Sequence, residues 1–109
     1  MEVLGRGVCL WDFYLTGEPV LIDDDKLPSL EECRGKILVT HVPSPDIVLY
    51  MREALAVVAE TGGVLCHMAV LALELGCPVI VAAEGVMQAV QGKKEISLEG
   101  TNGQGIVYA

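Results

Sequence analysis

The pattern of apolar and polar residues predicts strands that alternate with short helices. Glycine, proline and polar clusters separate apolar runs of strand length. The predicted strands are 1–10, 20–22, 36–40, 79–81, 95–98 and 104–108. Helical segments are predicted from Ser29, from Ser44 as N-cap with Pro45 behind it, and over 85–91 before Gly92. For residues 46–60 the pattern is ambiguous, and the composition allows one long helix.

A further helix is predicted in the middle of the chain, where apolar residues recur at helical spacing. These positions are Leu65, Met68, Ala69, Leu71, Ala72 and Leu75. They predict a helix that is buried on most of its circumference. Gly76 is expected to end it in the left-handed conformation, and Pro78 prevents its continuation. Val79–Val81 then has the composition of a buried strand.

His67 lies in the first turn of this predicted helix, after a loop that contains Gly62 and Gly63. Free N–H groups and the positive end of the helix dipole make such a helix start an anion site. The same field disfavours imidazolium, so the ring is expected to be neutral and nucleophilic near pH 7. A phosphoryl group on the ring would be stabilised there. The alternative from the residues alone is a core histidine bonded to a backbone carbonyl.

Composition narrows the classes of function. The chain has 109 residues and predicts one domain, 1–109, whose core is aliphatic because only 5% of residues are aromatic. A net charge of −8 without a basic run disfavours binding to nucleic acid or to anionic membrane surfaces. With no bilayer-length apolar stretch and no signal peptide, we expect a cytoplasmic protein. The aromatic cluster 11–14 is expected to close one end of the core, with a docking surface as the alternative.

The sequence predicts neither a bound metal nor a cofactor. Four cysteines without a C-x-x-C pair are expected to be free thiols, and the two histidines have no zinc-ligand spacing. Residues 23–25, three aspartates, lack the glycine and distal glutamate of a calcium loop, which favours a solvated acidic turn. There is no P-loop or magnesium cluster, and the glycines of 100–105 precede no helix as a dinucleotide fingerprint requires.

The segments GGVLCHMA (62–69) and ELGCPV (74–79) resemble the signature of the phosphohistidine domain of enzymes that use phosphoenolpyruvate (PEP). This mobile, swivelling domain occurs in PEP synthase, pyruvate phosphate dikinase and the first enzyme of the sugar phosphotransferase system. The resemblance continues in GKILVT (35–40), SPD (44–46), EISLEG (95–100) and GIV (105–107). It covers nearly the whole chain from Gly35, whereas the first thirty residues match loosely.

The resemblance implies an α/β fold, a compact β/β/α swivelling domain. It also ends the helix near Met51 or Arg52 and makes 55–59 a strand that leads into the glycine loop. His67 would be a transient phosphohistidine between a nucleotide site and a PEP or pyruvate site on separate domains or subunits. Of the neighbouring residues, the glycines would shape the loop, Cys66 would support the ring, and the hydroxyl of Thr61 would reach the phosphate.

The chain departs from the family pattern in its positive charges. Relatives carry arginine or another polar residue near Val64, often threonine at Leu65, and very commonly arginine at Leu73. In addition, the segment between Arg52 and Lys93 contains no lysine or arginine. A phosphorylated histidine there would have no cation from its own sequence neighbourhood, so a partner would have to bring the positive charge.

The absence of lysine and arginine between Arg52 and Lys93 leaves other functions open. The second hypothesis is a binding or regulatory module that keeps the fold without being phosphorylated. The third is thiol chemistry at Cys66, although adjacent helical residues point about 100° apart, so Cys66 and His67 would not form a facing pair.

Overall fold

A computed structural model describes residues 1–23, 27–63 and 66–109. Within these ranges there are eight strands and four helices. The strands are β1 Val3–Cys9, β2 Phe13–Gly17, β3 Pro19–Leu21, β4 Ile37–Thr40, β5 Ala56–Ala59, β6 Val79–Val81, β7 Ile96–Thr101 and β8 Gln104–Tyr108. The helices are α1 Leu30–Cys33, α2 Ile47–Met51, α3 His67–Leu75 and α4 Val86–Ala89. Two residues of the expected acidic turn, Asp24 and Asp25, lie outside the described ranges.

The described strands form one mixed sheet in the order β2-β7-β8-β1-β6-β5-β4-β3. Its two edge strands, β2 and β3, are separated in sequence by Glu18 alone. A link of one residue cannot span an open sheet, so the sheet curls until its edges meet. Gly17, the last residue of β2, marks this closure, since a Cβ on it would lie 2.8 Å from Leu55 Cδ2 and 3.3 Å from Ile37 Cδ1.

Strands β3 to β6 are parallel neighbours, and side chains of β4, β5 and β6 are buried on both faces. This explains their unbroken aliphatic sequences. One face packs against α1, α2 and α3, and we call the resulting cluster the helix-side core. Its buried residues are Ile22, Cys33, Leu38, Ile47, Tyr50, Met51, Val57, Ala59, Met68, Ala72, Cys77, Val79 and Val81.

The opposite face of the same strands packs against α4 and against the antiparallel strands β1, β7 and β8, which form the second sheet layer. We call this cluster the sheet-side core. Its buried residues are Leu4, Ile37, Val39, Ala56, Val58, Ile80, Ala83, Val86, Val90, Ile96, Leu98 and Val107. The layers are therefore sheet, sheet and helices, and the α/β class with its β/β/α layering is confirmed.

Most predicted elements are confirmed. Residues 46–60 form a short helix and then a strand, α2 and β5. Ser29 caps α1 in a capping box with Glu32. The β7–β8 hairpin turns at Asn102 and Gly103, which have φ values of 52° and 82°, as a two-residue type I′ turn requires. Gly76 ends α3 with φ 69°.

Two predictions about helices are wrong. Helix α3 is not buried on most of its circumference, since the side chains of Val70 and Leu73 are 45% and 59% exposed. The helix is too apolar for sequence periodicity to separate its buried face from its exposed face. Ser44 is not the N-cap of α2, because that position is taken by Asp46, without a side-chain capping bond. The Ser44 carbonyl instead accepts the N–H of Ile47 at 3.1 Å, which closes a preceding turn.

The aromatic cluster lies mainly against the cores. Trp11 packs against the helix-side core and Phe13 against the sheet-side core, while Tyr14 is 66% exposed. Trp11 and Phe13 therefore pack at the core as the prediction for this cluster required. In the part of the chain that the structure describes, no helix has the length and apolar character needed to cross a membrane.

Gly105 marks a close approach between the two sheet layers. It pairs with Gly7 across β8 and β1, and a Cβ on Gly105 would lie 2.7 Å from Ile80 Cγ1 and 2.8 Å from Ile80 Cγ2. Real Cβ atoms almost never come this close to a neighbour. The absence of a side chain at Gly105 thus makes room for Ile80 in the sheet-side core.

We predict that Gly105→Ala lowers the free energy of unfolding by about 1–3 kcal/mol, because it overpacks a filled core. Ile80→Ala should cost about 2–5 kcal/mol by leaving a cavity. The double variant should be more stable than the sum of both losses by at least ~0.5 kcal/mol, because the new methyl group enters that cavity. Urea denaturation of all four proteins measures this coupling. Additive losses would contradict the contact.

Candidate functional site

His67 is the first residue of α3, and its side chain is exposed. Cys66, with extended backbone angles of −70° and 156°, is the N-cap, and its side chain makes no capping hydrogen bond. Its carbonyl accepts the N–H of Val70 at 3.2 Å, which closes the first turn. In an α-helix the first N–H groups have no partner within the helix. The start of α3 can therefore offer backbone donors and a positive dipole end to an anion beside the His67 ring.

The loop before α3 depends on Gly62 much more than on Gly63. Gly62 has φ 106°, which side-chain-bearing residues rarely adopt, and a Cβ there would lie 3.1 Å from Pro43 Cγ and 3.6 Å from Cys66 Sγ. Gly63 has no positive φ, and among the described residues a Cβ on it would meet nothing within 4 Å. The carbonyl of Gly63 accepts the N–H of Cys66 at 3.0 Å. The backbone conformation thus requires glycine at position 62 but not at position 63.

Thr61 joins the ends of three parallel strands. Its N–H and its hydroxyl both donate to the carbonyl of His41, at 3.1 and 3.2 Å, and its carbonyl accepts the N–H of Ala82 at 3.4 Å. A hydroxyl has one hydrogen to donate, and here that hydrogen is given to the backbone. Direct donation from Thr61 to a phosphate would require this bond to break, so that predicted role stays a prediction.

Cys66 is half-buried and packs against the helix-side core. The other three cysteines are buried, and all four are free thiols in the described structure. Burial raises the pKa of Cys9 and Cys33, and it raises that of Cys77 to about 11. Because the thiolate is the reactive form, these three thiols are poor nucleophiles. The expected contact of Cys66 with the His67 ring stays a prediction.

Sequence analysis missed a hydrogen-bonded pair, His41 with Glu60. Nδ1 of His41 lies 2.7 Å from one carboxylate oxygen of Glu60, and the other oxygen accepts the N–H of Met87 at 3.0 Å. The Glu60 side chain is 14% exposed, against 64% for His41. The carboxylate thus links the end of β4 to the second residue of α4, where it acts as a capping group from another element.

The surroundings of Glu60 favour its ionised form. Partial burial raises the pKa of Glu60, but hydrogen bonds from the His41 ring and from backbone N–H groups at the start of α4, together with attraction to His41, outweigh this effect. The pKa is held below its usual value. Strand register could have revealed the pair. Thr40 is the parallel partner of Ala59, so the next residues in each strand also lie side by side.

No candidate metal centre is found in residues 1–23, 27–63 and 66–109. There, no three His, Cys, Asp or Glu side chains lie close enough together to hold a metal ion.

Comparison with known proteins identifies the family. Residues 32–103 match the family model of the PEP-utilising enzyme mobile domain. The chain belongs to this family. It is 36% identical over 110 residues to phosphoenolpyruvate synthase of Aeropyrum pernix, a match that covers 99% of this chain and 13% of the relative. It is 34% identical over 89 residues to a probable phosphoenolpyruvate synthase of Staphylothermus marinus, which covers 82% and 10%.

A third relative, phosphoenolpyruvate synthase of Aquifex aeolicus, is 33% identical over 109 residues, covering 98% of this chain and 12% of the relative. The chain thus spans about a tenth of the length of the curated relatives it matches. The mobile-domain resemblance noted in the sequence is confirmed by these matches.

The two loop glycines give a matched pair of variants. We predict that Gly62→Ala lowers the free energy of unfolding by about 1–3 kcal/mol, because alanine is strained at φ 106°. Gly63→Ala should leave it unchanged or raise it by up to about 1 kcal/mol, since an ordinary φ and open space accept the methyl group. Urea denaturation compares them. Equal losses would contradict the described loop.

The lowered pKa of Glu60 predicts a pH-dependent stabilisation. A carboxyl whose pKa is lower when folded stabilises the protein above its unfolded pKa, here about 4.5, and loses that contribution as the pH falls through the folded value. Glu60→Gln should cost about 1–2 kcal/mol at pH 7, and this cost should shrink progressively as the pH falls below 4.5. Urea denaturation from pH 7 to 3 checks this. Exposed Glu84 provides the control, because Glu84→Gln should leave the pH profile unchanged.

Proposed function

We propose that the chain is a phosphoryl-carrier domain or subunit of a system like PEP synthase or pyruvate phosphate dikinase, with His67 as the transient phosphohistidine. One observation carries the proposal. The histidine of the family's signature is exposed and opens α3, the nine-residue helix whose first N–H groups can receive an anion. In this reading, residues 1–109 act as one domain in the cytoplasm.

The proposed step is a phosphoryl transfer to and from the imidazole. The lone pair of an unprotonated ring nitrogen attacks the phosphorus of the donor, and a P–N bond forms. The bond between phosphorus and the donor oxygen breaks, and that oxygen keeps the electron pair. In the second transfer an acceptor oxygen attacks the same phosphorus, and the ring leaves with its electron pair. His67 can reach two such partners because its side chain projects into solvent from the helix end.

Stabilisation of the phosphorylated ring would come first from the backbone. A helix N-terminus contributes about 1–2 kcal/mol to a nearby anion in favourable geometry, and hydrogen bonds from its N–H groups act together with the dipole. A charged arginine would add more in a dry site. Leu73, where relatives very commonly have arginine, is 59% exposed and offers no charge. The proposed carrier therefore requires a cation from the protein that holds the donor or acceptor.

The proposed partners are separate nucleotide-binding and PEP- or pyruvate-binding domains or subunits. The curated relatives named phosphoenolpyruvate synthase are many times longer than the segment that matches this chain. The proposed partner sites would lie in protein outside residues 1–109. By itself this chain would carry the phosphoryl group without catalysing a complete reaction.

A binding or regulatory module without phosphorylation is the second candidate. It is favoured by the exposed face of α3, where Val70 and Leu73 present aliphatic side chains on the helix that begins with His67. Exposed aliphatic groups suit contact with a protein better than contact with a phosphoryl group. Under this hypothesis, leucine in place of the family's usual arginine at position 73 removes a phosphate contact and adds an apolar contact.

Phosphorylation is tested by intact-protein mass spectrometry at alkaline pH, at which a phosphoramidate survives. The protein is incubated with a lysate of its source organism and with either PEP or ATP. We expect one added phosphate that is lost on acidification, absent from His67→Ala and retained by His41→Gln. The second variant is a matched control, because His41 is the only other histidine in the sequence.

The result also separates the two candidate functions. No mass gain with either donor, while a PEP synthase relative is labelled in the same lysate, would contradict the carrier. Leu73→Arg is then the decisive variant, since phosphorylation gained by this change would point to a decayed phosphohistidine site. Labelling that survives in His67→Ala and is lost in Cys66→Ala would instead indicate thiol chemistry.

A further inference from the structure

A second candidate site is formed by residues other than His67. A cavity of about 360 Å³ is lined by Leu21, Ile22, Asp23, His41, Met87 and Gln91. It adjoins the carboxyl ends of β3 and β4, the end of parallel strands at which α/β folds bind ligands. Glu60, which bonds both His41 and the N–H of Met87, ties the cavity to α4 on the sheet-side core. His67 does not line this cavity, although Ile22, which does, belongs to the helix-side core against which α3 also packs.

The hydrogen bond between His41 and Glu60 determines which hydrogen-bonding group the His41 ring presents to this cavity. Glu60 is ionised near neutral pH, and an ionised carboxylate only accepts hydrogen bonds. Its oxygen lies 2.7 Å from Nδ1 of His41, so Nδ1 must carry the hydrogen of this bond. In neutral imidazole the second nitrogen then has none. In the neutral ring, Nε2 of His41 is therefore a hydrogen-bond acceptor for a ligand.

The other polar groups of the lining extend the same chemistry. The carboxylate of Asp23 is an acceptor with several lone-pair directions, so it can receive a ligand in addition to a protein partner. The side chain of Gln91 adds an amide oxygen. Carboxylates at Asp23 and Glu60, on a chain of net charge −8, disfavour an anion in this cavity. Leu21, Ile22 and Met87 supply apolar surface.

We propose that this cavity binds a small organic cation, a primary ammonium group on an aliphatic body. The three N–H bonds of the ammonium would go to His41 Nε2, the Asp23 carboxylate and the Gln91 amide oxygen. The aliphatic part would lie against Leu21, Ile22 and the thioether of Met87. This binding site is independent of phosphoryl transfer at His67, and Glu60 is its positioning residue because it sets the tautomer of His41.

The test titrates the full chain with n-butylamine at pH 8, where the amine is an ammonium ion. NMR follows the methyl group of Met87 and the imidazole nitrogens of His41. We expect a saturable shift with a dissociation constant of roughly 1–10 mM, in the range of very small ligands. Butyrate, which has a similar aliphatic body and the opposite charge, should produce no saturable shift. Binding of butyrate as tight as that of butylamine would overturn the proposal.

Two variants on α4 and its C-terminal end test the acceptor role of Gln91. Gln91→Leu should weaken butylamine binding about 2- to 12-fold, the loss expected for one hydrogen bond. Gln88→Leu is the matched control, because Gln88 is exposed and does not line the cavity, and it should leave the affinity unchanged. Equal affinity of the two variants, or no saturable shift in the wild type, would contradict the site.

Glu60→Gln tests the tautomer directly. A carboxamide can donate to Nδ1 of His41, which allows the hydrogen to move to Nε2 and removes the acceptor. The imidazole nitrogen signals should show hydrogen on Nδ1 in the wild type, and butylamine affinity should fall roughly tenfold in the variant. The NMR spectrum of the variant reports whether it is folded. Hydrogen on Nε2 in the wild type would overturn the proposal, as would unchanged affinity in a folded variant whose tautomer has changed.

Discussion

The short connection between β2 and β3 is the constraint on which the fold depends. Because Glu18 alone separates strands at opposite edges of the sheet order, the sheet has to curl back on itself. Curling creates two apolar spaces, one between the sheet layers and one under the helices, and the aliphatic strands β4 to β6 fill both. The absence of a side chain at Gly105 lets the layers approach at Ile80. The aliphatic composition suits this close approach of the layers, since bulky aromatic side chains would hold the layers apart.

The curling of the sheet also determines where the two candidate sites lie. The carboxyl ends of β4, β5 and β6 come together, and Thr61 bonds to both neighbouring strand ends through its backbone. From this junction the chain continues through Gly62 into α3, which starts with His67 on the helix side of the sheet. The Glu60 side chain bonds His41, which lines the cavity, and the N–H of Met87 at the start of α4. Glu60 and Thr61, the two residues that follow β5, thus have different roles: Glu60 bonds a residue of the cavity, and Thr61 joins the strand ends before the loop that leads to His67.

The two proposed sites differ in the charge of the ligand that they favour, and the net charge of the chain explains this difference. At α3 an anion would be held by partial charges of the backbone, which need no basic side chain. At the proposed cation site, the carboxylates of Asp23 and Glu60 are negatively charged acceptors, which suits a cation. A chain with eight more acidic than basic residues can build the second site from its own side chains. The first site has to rely on the helix terminus and, in the proposed function, on a partner.

The sequence by itself determined the elements whose signals are local. The glycine that ends α3, the capping box at Ser29 and the turn at 102–103 each follow from the backbone preferences of one or two residues. The signature around His67 likewise indicated the family and the start of the helix. The tertiary structure alone decided which face of α3 is exposed, because nearly every position of that helix is apolar. It also decided that His41 meets Glu60, since their contact depends on strand pairing between residues 19 positions apart.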